Sequence, residues 1–329
     1  VIRPDGRPSD ARSSGDAALA IGIDVGGTKV LAALVRIDPG SAPVVERLIE
    51  VPSEAHDDDL AHRLADVAAT LAEGADRGAI VGVGAGLAGL VDLDGVVRRS
   101  PNAPALEGVD VAATLREATG IPAWVDNDAN CVARVAQATH GPAVRNLVAI
   151  TLGTGIGAGL IVEGRLLRGA RGFAGEPGHM VVDPHGPPCP CGQRGCWERY
   201  ASGTGLEEIA REAVRSGRGA GLSGPDDRIV GTEVSEAARR GVPAAVAVME
   251  EFAGWVALGV GNLVNLLDPE LVVLGGGVAA AGEVLTVPMM AALESNPLVG
   301  PRRVQVEVVA GGPLAGAVGA ALMAVAGPA

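Results

Sequence analysis

Side chains able to do chemistry concentrate between Phe173 and Gly203, in a stretch that reads GEPGHM and then PPCPCGQRGCWERYASG. It gathers His179, three of the four cysteines, Glu176 and Glu198 into a segment too rich in Gly and Pro for regular structure. Nine residues separate His179 from Cys189, one separates Cys189 from Cys191, and four separate Cys191 from Cys196. One imidazole and three thiolates make the closed tetrahedral set of a structural zinc, with no position left for metal-bound water. The expectation is a scaffold metal and not a catalytic one. A disulfide loop or chance clustering are the alternatives. Three clustered cysteines cannot all pair with one another, however, and nothing else marks the chain as secreted. A metal pinning this loop would hold Glu176 and Glu198 close to it, which makes both candidates for more than surface charge.

Such a loop needs a frame. At 329 residues, with 48% apolar and 20% charged side chains, the chain suits two globular domains of ordinary size. Aromatic residues are only 2%, so the core must come from Val, Leu, Ile and Ala, and a ligand would be gripped by polar side chains and backbone. A net charge of -13 argues against nucleic acid and anionic membrane surfaces. No window reads as an unbroken spanning helix, and residues 1–18 are polar, without the apolar stretch of a secretory signal. These features predict a cytoplasmic protein directed at small molecules, with residues 1–18 as a disordered leader.

From Leu19 the chain turns apolar, and ALAIGIDVGGTKVLAALVRI reads as two buried strands joined by Gly26, Gly27, Thr28 and Lys29. A third strand over 43–51, a helix from Asp57 to Glu73 and a strand over 79–89 follow. Then come a VDLDGVV hairpin, a loop SPNAPAL over 100–106, a helix from about Val109 to Thr119 and a strand from Ile121 to Val125. The run DNDAN opens a helix through Ala138, and NLVAITLGTGIGAGLIVEGRLL repeats the strand, glycine turn, strand device. IGIDVGGTKV and VAITLGTGIG match at an offset of 127 residues, pairing Asp24 with Thr151 and Gly26 with Gly153. The echo suggests two domains of common plan, although any two buried hairpins look alike. Helices over about 205–216, 232–240 and 243–267 lead to a strand ELVVLGGGVA that ends in a third glycine turn, Gly275 to Gly277. A helix near 281–293, a strand over 304–309 and a Gly/Ala-rich helix over 313–326 complete an α/β pattern. The expected division is 19–125 plus 313–329 for a smaller domain and 126–312 for a larger one carrying the zinc loop 173–203.

The glycine turns at Gly26, Gly153 and Gly275 form a plausible phosphate cradle, since glycine lets backbone N–H groups approach phosphate oxygens. Thr28 and Lys29 could add a hydroxyl and a charge. None of the turns fits the Walker or dinucleotide pattern, and each taken singly reads first as a mere hairpin turn; three together are harder to dismiss. Asp24 lies within the first strand's apolar alternation, where a carboxylate needs a partner; Mg2+ beside a nucleotide would serve, and turn capping is the alternative. Asp128, at the start of a helix just past a strand, could accept the proton of a substrate hydroxyl, with helix-dipole stabilisation keeping it a weak base. On spacing alone it reads first as an ordinary N-cap.

Taken together, these residues resemble a sugar kinase of the ROK family (repressors, open reading frames and kinases), most similar to actinobacterial ATP-dependent glucokinases. The similarity runs from about Leu19 to Ala326 through DVGGTK at 24–29, SPN at 100–102, NDAN at 127–130, TLGTGIG at 151–157, GEPGH at 175–179, CPCGQRGCWERYASG at 189–203 and VVLGGG at 272–277. It implies two ribonuclease-H-like α/β domains of the hexokinase, actin and Hsp70 superfamily, closing over an interdomain cleft. It further implies that Asp128 is the general base on the sugar 6-hydroxyl and that Asn102, Asn127, Glu176, His179 and Glu198 bind the other hydroxyls. ATP would be contacted by Asp24, Gly26, Gly27, Thr28, Lys29, Gly153, Thr154, Gly155, Gly275, Gly276 and Gly277, with Mg2+. Structural Zn2+ would sit on His179, Cys189, Cys191 and Cys196, and the imidazole could serve zinc through one nitrogen and sugar through the other. A homodimer or homotetramer is implied as well. Two departures stand out: Asp126 where the family usually has Glu, and Val135–Ala136 where it often has Gly-Glu.

Family members that repress transcription carry an N-terminal helix-turn-helix. The 18 residues before the first strand are too few for one, and the acidic charge is wrong for DNA. A non-catalytic sugar sensor could dispense with the base, whereas Asp128 is present. Kinases for N-acetylmannosamine, fructose or mannose share nearly all these motifs, and the WERYASG ending with the overall similarity favours glucose.

Overall fold

Dense apolar runs with glycine at their ends become the central strands of two sheets. The computed structural model describes residues 17–76, 78–222, 229–309 and 311–327. Most of the expected leader, residues 1–16, lies outside them. The described chain forms two compact units, residues 17–131 with 316–327, and residues 132–315.

In the first unit, β1 (Ala18–Val25) pairs antiparallel with β2 (Lys29–Ile37), and β2 pairs antiparallel with β3 (Val44–Pro52). On its other side β1 runs parallel to β4 (Ile80–Leu87), and β4 runs parallel to β7 (Ala123–Asn127), giving the order β3-β2-β1-β4-β7. Between them, β5 (Leu90–Val91) and β6 (Val97–Arg99) make a small separate hairpin. Helices α1 (Leu60–Ala72) and α2 (Val111–Thr119) bring Leu60, Leu64, Leu71 and Leu115 into one core with Ile21, Ile23, Val83 and Val125. Asp110 starts α2 by accepting from the Ala113 N–H at 2.8 Å, and Gly120 ends it in the left-handed conformation.

A different device works against Ala20, Ala33 and Val35. Helix α9 (Ala315–Ala326) has Ala317, Ala321 and Ala324 in that cluster, and its backbone lies directly on glycines of the sheet. A Cβ at Gly22 would fall 1.8 Å from the Ala317 carbonyl oxygen, and one at Gly84 would fall 1.9 Å from that of Ala320. Missing side chains thus set the helix-to-sheet distance.

Helix α3 (Asp128–His140) begins in the first unit and continues into the second. There β8 (Leu147–Leu152), β9 (Ile156–Val162) and β10 (Arg165–Leu166) are joined antiparallel, while β11 (Leu271–Gly275) lies parallel to β8 and to β12 (Gln305–Val308). The order β10-β9-β8-β11-β12 repeats the first sheet strand for strand. The 127-residue echo therefore reflects a shared plan. Its hairpin turns differ by one residue, since Val25 pairs with Val30 but Leu152 with Ile156. Helices α4 (Glu198–Ala201), α5 (Gly203–Arg215), α6 (Gly231–Arg239), α7 (Pro243–Leu267) and α8 (Glu283–Ser295) complete the unit, whose core holds Trp197, Phe252, Val256, Leu274, Leu285 and Met289.

Two readings change. Among the described residues, α7, with 25 residues, is long and apolar enough to cross a membrane by length and composition, which the sequence reading had excluded. A little over half of its most apolar window is buried inside the unit, and that burial accounts for the apolarity. Strand β7 also runs two residues past Val125, because Asp126 and Asn127 stay in register with Gly86 and Leu87. Asp128, not Asn127, is the first helical residue of α3. Val135 and Ala136 in this helix are both buried.

Candidate active site and metal centre

The candidate residues fall into two groups, one in each unit. In the first, the end of β1 carries Asp24 into the glycine turn, where the Gly26 N–H donates to the Lys29 carbonyl at 3.0 Å. Gly27 lies beside Asn102, with a built Cβ 3.8 Å from the Asn102 Cβ. Lys29 spans to Glu50 on β3 at 3.2 Å, both groups being exposed. The Asp24 carboxylate rests on the backbone of Gly316, where a Cβ would lie 2.4 Å from its Cγ. Burial, then the charge of Asp128, push the Asp24 carboxyl from 3.8 up to about 7, against a lowering by Lys29.

Asp128 is held by the polar run that precedes it. Asp126, itself buried, accepts from the Asn127 N–H and from Asn130 Nδ2, each at 2.8 Å. The Asn127 side chain accepts from the Ala129 N–H at 2.8 Å and donates to the Gly89 carbonyl at 3.0 Å. Asp128 shares that Ala129 N–H at 2.9 Å. Burial raises the Asp128 carboxyl above its ordinary value, outweighing the N–H groups of Ala129 and of Asp128 itself. Asp126 and Asn130 escaped the sequence reading as positioning groups, although their i, i+4 spacing across a helix start was a usable signal.

In the second unit, Gly175 and Gly178 let the GEPGH segment lie against β9. The Ala158 N–H donates to the Gly175 carbonyl at 3.0 Å, and a Cβ at Gly178 would be 2.4 Å from the Ile156 carbonyl oxygen. Glu176, half-buried, precedes a short 3-10 turn, Pro177–His179. That turn presents the imidazole to the cysteines. His179, Cys189, Cys191 and Cys196 place their ligand atoms within 4.8 Å of one another. Cys191 Sγ and Cys196 Sγ are 3.6 Å apart, and Cys189 Sγ is 3.9 Å from His179 Nδ1. Ligands on a tetrahedral zinc, with Zn–S of ~2.3 Å and Zn–N of ~2.1 Å, stand about 3.6–3.8 Å from one another. The donor set therefore fits that ion. Burial pushes the Cys189 thiol up to about 12 and raises that of Cys196, while the Cys191 thiol is lowered, so a cation is what would let all three ionise together.

Aromatic side chains fasten this loop to α7. Trp197 is fully buried and donates from Nε1 to the Trp255 carbonyl at 2.7 Å, while Gly259 makes room for its ring. Tyr200 stacks on Trp255 with ring centroids 4.1 Å apart, and its hydroxyl donates to Asp183 Oδ2 at 3.0 Å. The low aromatic content concealed this role. Glu198, two residues past the last cysteine, turns inward: its Oε1 is 3.4 Å from Cys189 Sγ and 3.7 Å from His179 Nδ1, and its Oε2 accepts from the Ile156 N–H at 3.4 Å.

The second glycine turn closes with the Gly153 N–H donating to the Gly155 carbonyl at 3.0 Å. Residues outside the sequence prediction secure it. The Gly203 N–H donates to the Gly153 carbonyl at 2.7 Å, and Thr204 Oγ1 donates to the Thr154 carbonyl at 3.0 Å. Ser202 caps α5 by accepting from the Gly205 N–H at 3.2 Å, so a Ser-Gly-Thr-Gly helix start was the available signal. In the third turn, Gly276, with φ of 83°, packs on β8: a Cβ there would meet the Leu152 carbonyl oxygen at 2.4 Å. Gly275 and Gly277 flank it.

Two five-stranded sheets of one topology, the second carrying a loop with one histidine and three cysteines in ligand reach, define the mixed α/β fold of actin- and hexokinase-like sugar kinases. Within that class the chain belongs to the ROK family, whose model matches residues 20–326. It is 35% identical over 322 residues to a glucokinase of Streptomyces coelicolor, covering 93% of this chain and 97% of that one. It is 33% identical over 262 residues to an N-acetylmannosamine kinase of Citrobacter koseri, covering 79% and 84%. A ROK family glucokinase from Streptomyces griseus, solved with glucose and AMPPNP, superposes with a TM-score of 0.81 at 34% identity, covering 94% of this chain and all of that one.

Proposed function

We propose that the protein is a cytoplasmic, ATP-dependent sugar kinase that phosphorylates glucose at its 6-hydroxyl. The observation that carries this reading is Asp128: a carboxyl at the first position of α3, fixed through the Asp126–Asn130 and Asn127–Gly89 hydrogen bonds and raised by burial. Such a group is a competent acceptor for an alcohol proton, and phosphoryl transfer asks chiefly for positioning and late proton removal. Asn102, Asn127, Glu176, His179 and Glu198 hydrogen-bond the remaining hydroxyls. His179 turns Nδ1 toward the cysteines, which leaves Nε2 for the sugar. The turns at Gly26–Lys29, Gly153–Gly155 and Gly275–Gly277 bind ATP, and Mg2+ accompanying it offsets the charge that burial denies Asp24. One Zn2+ on His179, Cys189, Cys191 and Cys196 is structural. A homodimer or homotetramer is the assembly the family likeness supports.

Identity to an N-acetylmannosamine kinase favours a second reading in which another hexose is preferred. A coupled ADP-release assay over glucose, N-acetylmannosamine, fructose and mannose, run with ATP and with polyphosphate, separates the two. Glucose with ATP is expected to give the highest kcat/KM. Turnover of none of these sugars, with glucose still bound, would make the protein a sensor instead. Asp128→Asn is expected to bind glucose yet lose ~10^3-fold or more in kcat, and an unimpaired rate would remove Asp128 as the base.

A further inference from the structure

We propose that Gly155, whose backbone belongs to the ATP-binding turn, is also a positioning residue for the sugar, its missing side chain making room for Glu198; this rests on the reading of Glu198 as a sugar ligand. Gly155 does not have positive φ, so its backbone does not demand glycine. The demand comes from one neighbour. A Cβ on Gly155 would lie 2.8 Å from Glu198 Oε2, with the next nearest atom, Glu198 Cδ, at 3.9 Å. At Gly153, in the same turn, a Cβ would meet nothing within 4 Å.

Something must give when a methyl group enters, and the geometry shows which side does. The turn is tied down by Gly203 N–H on the Gly153 carbonyl at 2.7 Å and by Thr204 Oγ1 on the Thr154 carbonyl at 3.0 Å. Glu198 is held more loosely, by a 3.4 Å bond from the Ile156 N–H and by contacts of 3.4 Å and 3.7 Å to Cys189 and His179. The carboxylate is also the far end of a flexible side chain. A methyl group at 155 therefore moves Glu198 and leaves the turn, the fold and the metal ligands where they are. The same carboxylate thereby links the glycine turn to the metal loop, and room for it is what residue 155 supplies.

The test uses the zinc-loaded full-length protein and compares Gly155→Ala, Glu198→Asp and the double variant. Gly155→Ala is expected to retain about one zinc per chain by elemental analysis and to unfold within ~2 °C of wild type. It should raise the glucose KM ~10-fold or more while moving the ATP KM less than ~3-fold, and should shrink the rise in Tm that glucose produces. Glu198→Asp withdraws the carboxylate by one methylene, so the double variant should match Glu198→Asp alone within ~2-fold. A wild-type glucose KM in Gly155→Ala, a loss confined to ATP, or a double variant showing the product of the two single losses would overturn the inference. If wild type is neither stabilised nor used by any hexose, the sugar-kinase reading fails; if wild type responds to glucose and Gly155→Ala responds equally, only this inference fails.

Discussion

Replacing Asp24 with Asn should make the protein more stable at and above neutral pH, and the size follows from where the carboxylate sits. Its carboxyl is raised from 3.8 to about 7, first by burial and then by the charge of Asp128. A raised carboxyl means that the folded state keeps a proton the unfolded chain has already released. Stability therefore falls as pH rises from about 4 to about 7 and is level above that. A shift of roughly three units corresponds to at most ~4 kcal/mol at pH 8, and only ~1 kcal/mol at pH 4.5. Asn has nearly the same shape and no charge to bury, so Asp24→Asn should flatten this slope and gain most of its advantage between those two pH values. Urea unfolding of both proteins at pH 4.5 and pH 8, without nucleotide or divalent cation, measures it. Adding Mg2+ with ATP at pH 8 should shrink the difference, since the cation stabilises the wild-type anion. Equal stabilities at pH 8, or a larger gain for Asn at pH 4.5 than at pH 8, would refute the reasoning.

Other perturbations test other layers. Cys196→Ser should abolish stoichiometric zinc by elemental analysis and lower the Tm, because a structural zinc site contributes folding free energy directly; retention of one zinc per chain would contradict the assigned ligands. Gly84→Ala places a methyl group 1.9 Å from the Ala320 carbonyl oxygen, and this backbone clash should cost about 3 kcal/mol or more in urea unfolding. Tyr200→Phe removes the donor to Asp183 Oδ2 while leaving the stack on Trp255, so a loss of about 1–2 kcal/mol with little change in sugar KM is expected. Glu198→Gln should raise the sugar KM, and an effect restricted to ATP would separate Glu198 from the sugar.

Much of this was legible because buried strands need apolar runs and tight turns need glycine. The paired hairpins and the cluster of His179 with three cysteines announced themselves by type and spacing, whereas Asp128 stood out only through the family resemblance, and the 127-residue echo reappears as one strand order used twice. What stayed hidden depends on contacts distant in sequence. Nothing around Tyr200 indicates that it stacks on Trp255, nor does anything near Gly22 reveal a helix some 295 residues later lying upon it. The lone turn of α4 was too short for periodicity to show. Helix α7 shows the limit of composition, for a helix half-buried in a core and a helix made for lipid can share it.

The glycine-to-alanine seat of α9 on the first sheet also dictates a sequence of events. Strands β1 to β7 leave the ribosome before α9, yet the surface formed by Ala20, Gly22, Ala33 and Gly84 is packed against residues 317–324. Every residue of the second unit is synthesised in between. The unit made first is thus completed last, and until α9 arrives its sheet presents bare backbone and alanine to the surroundings.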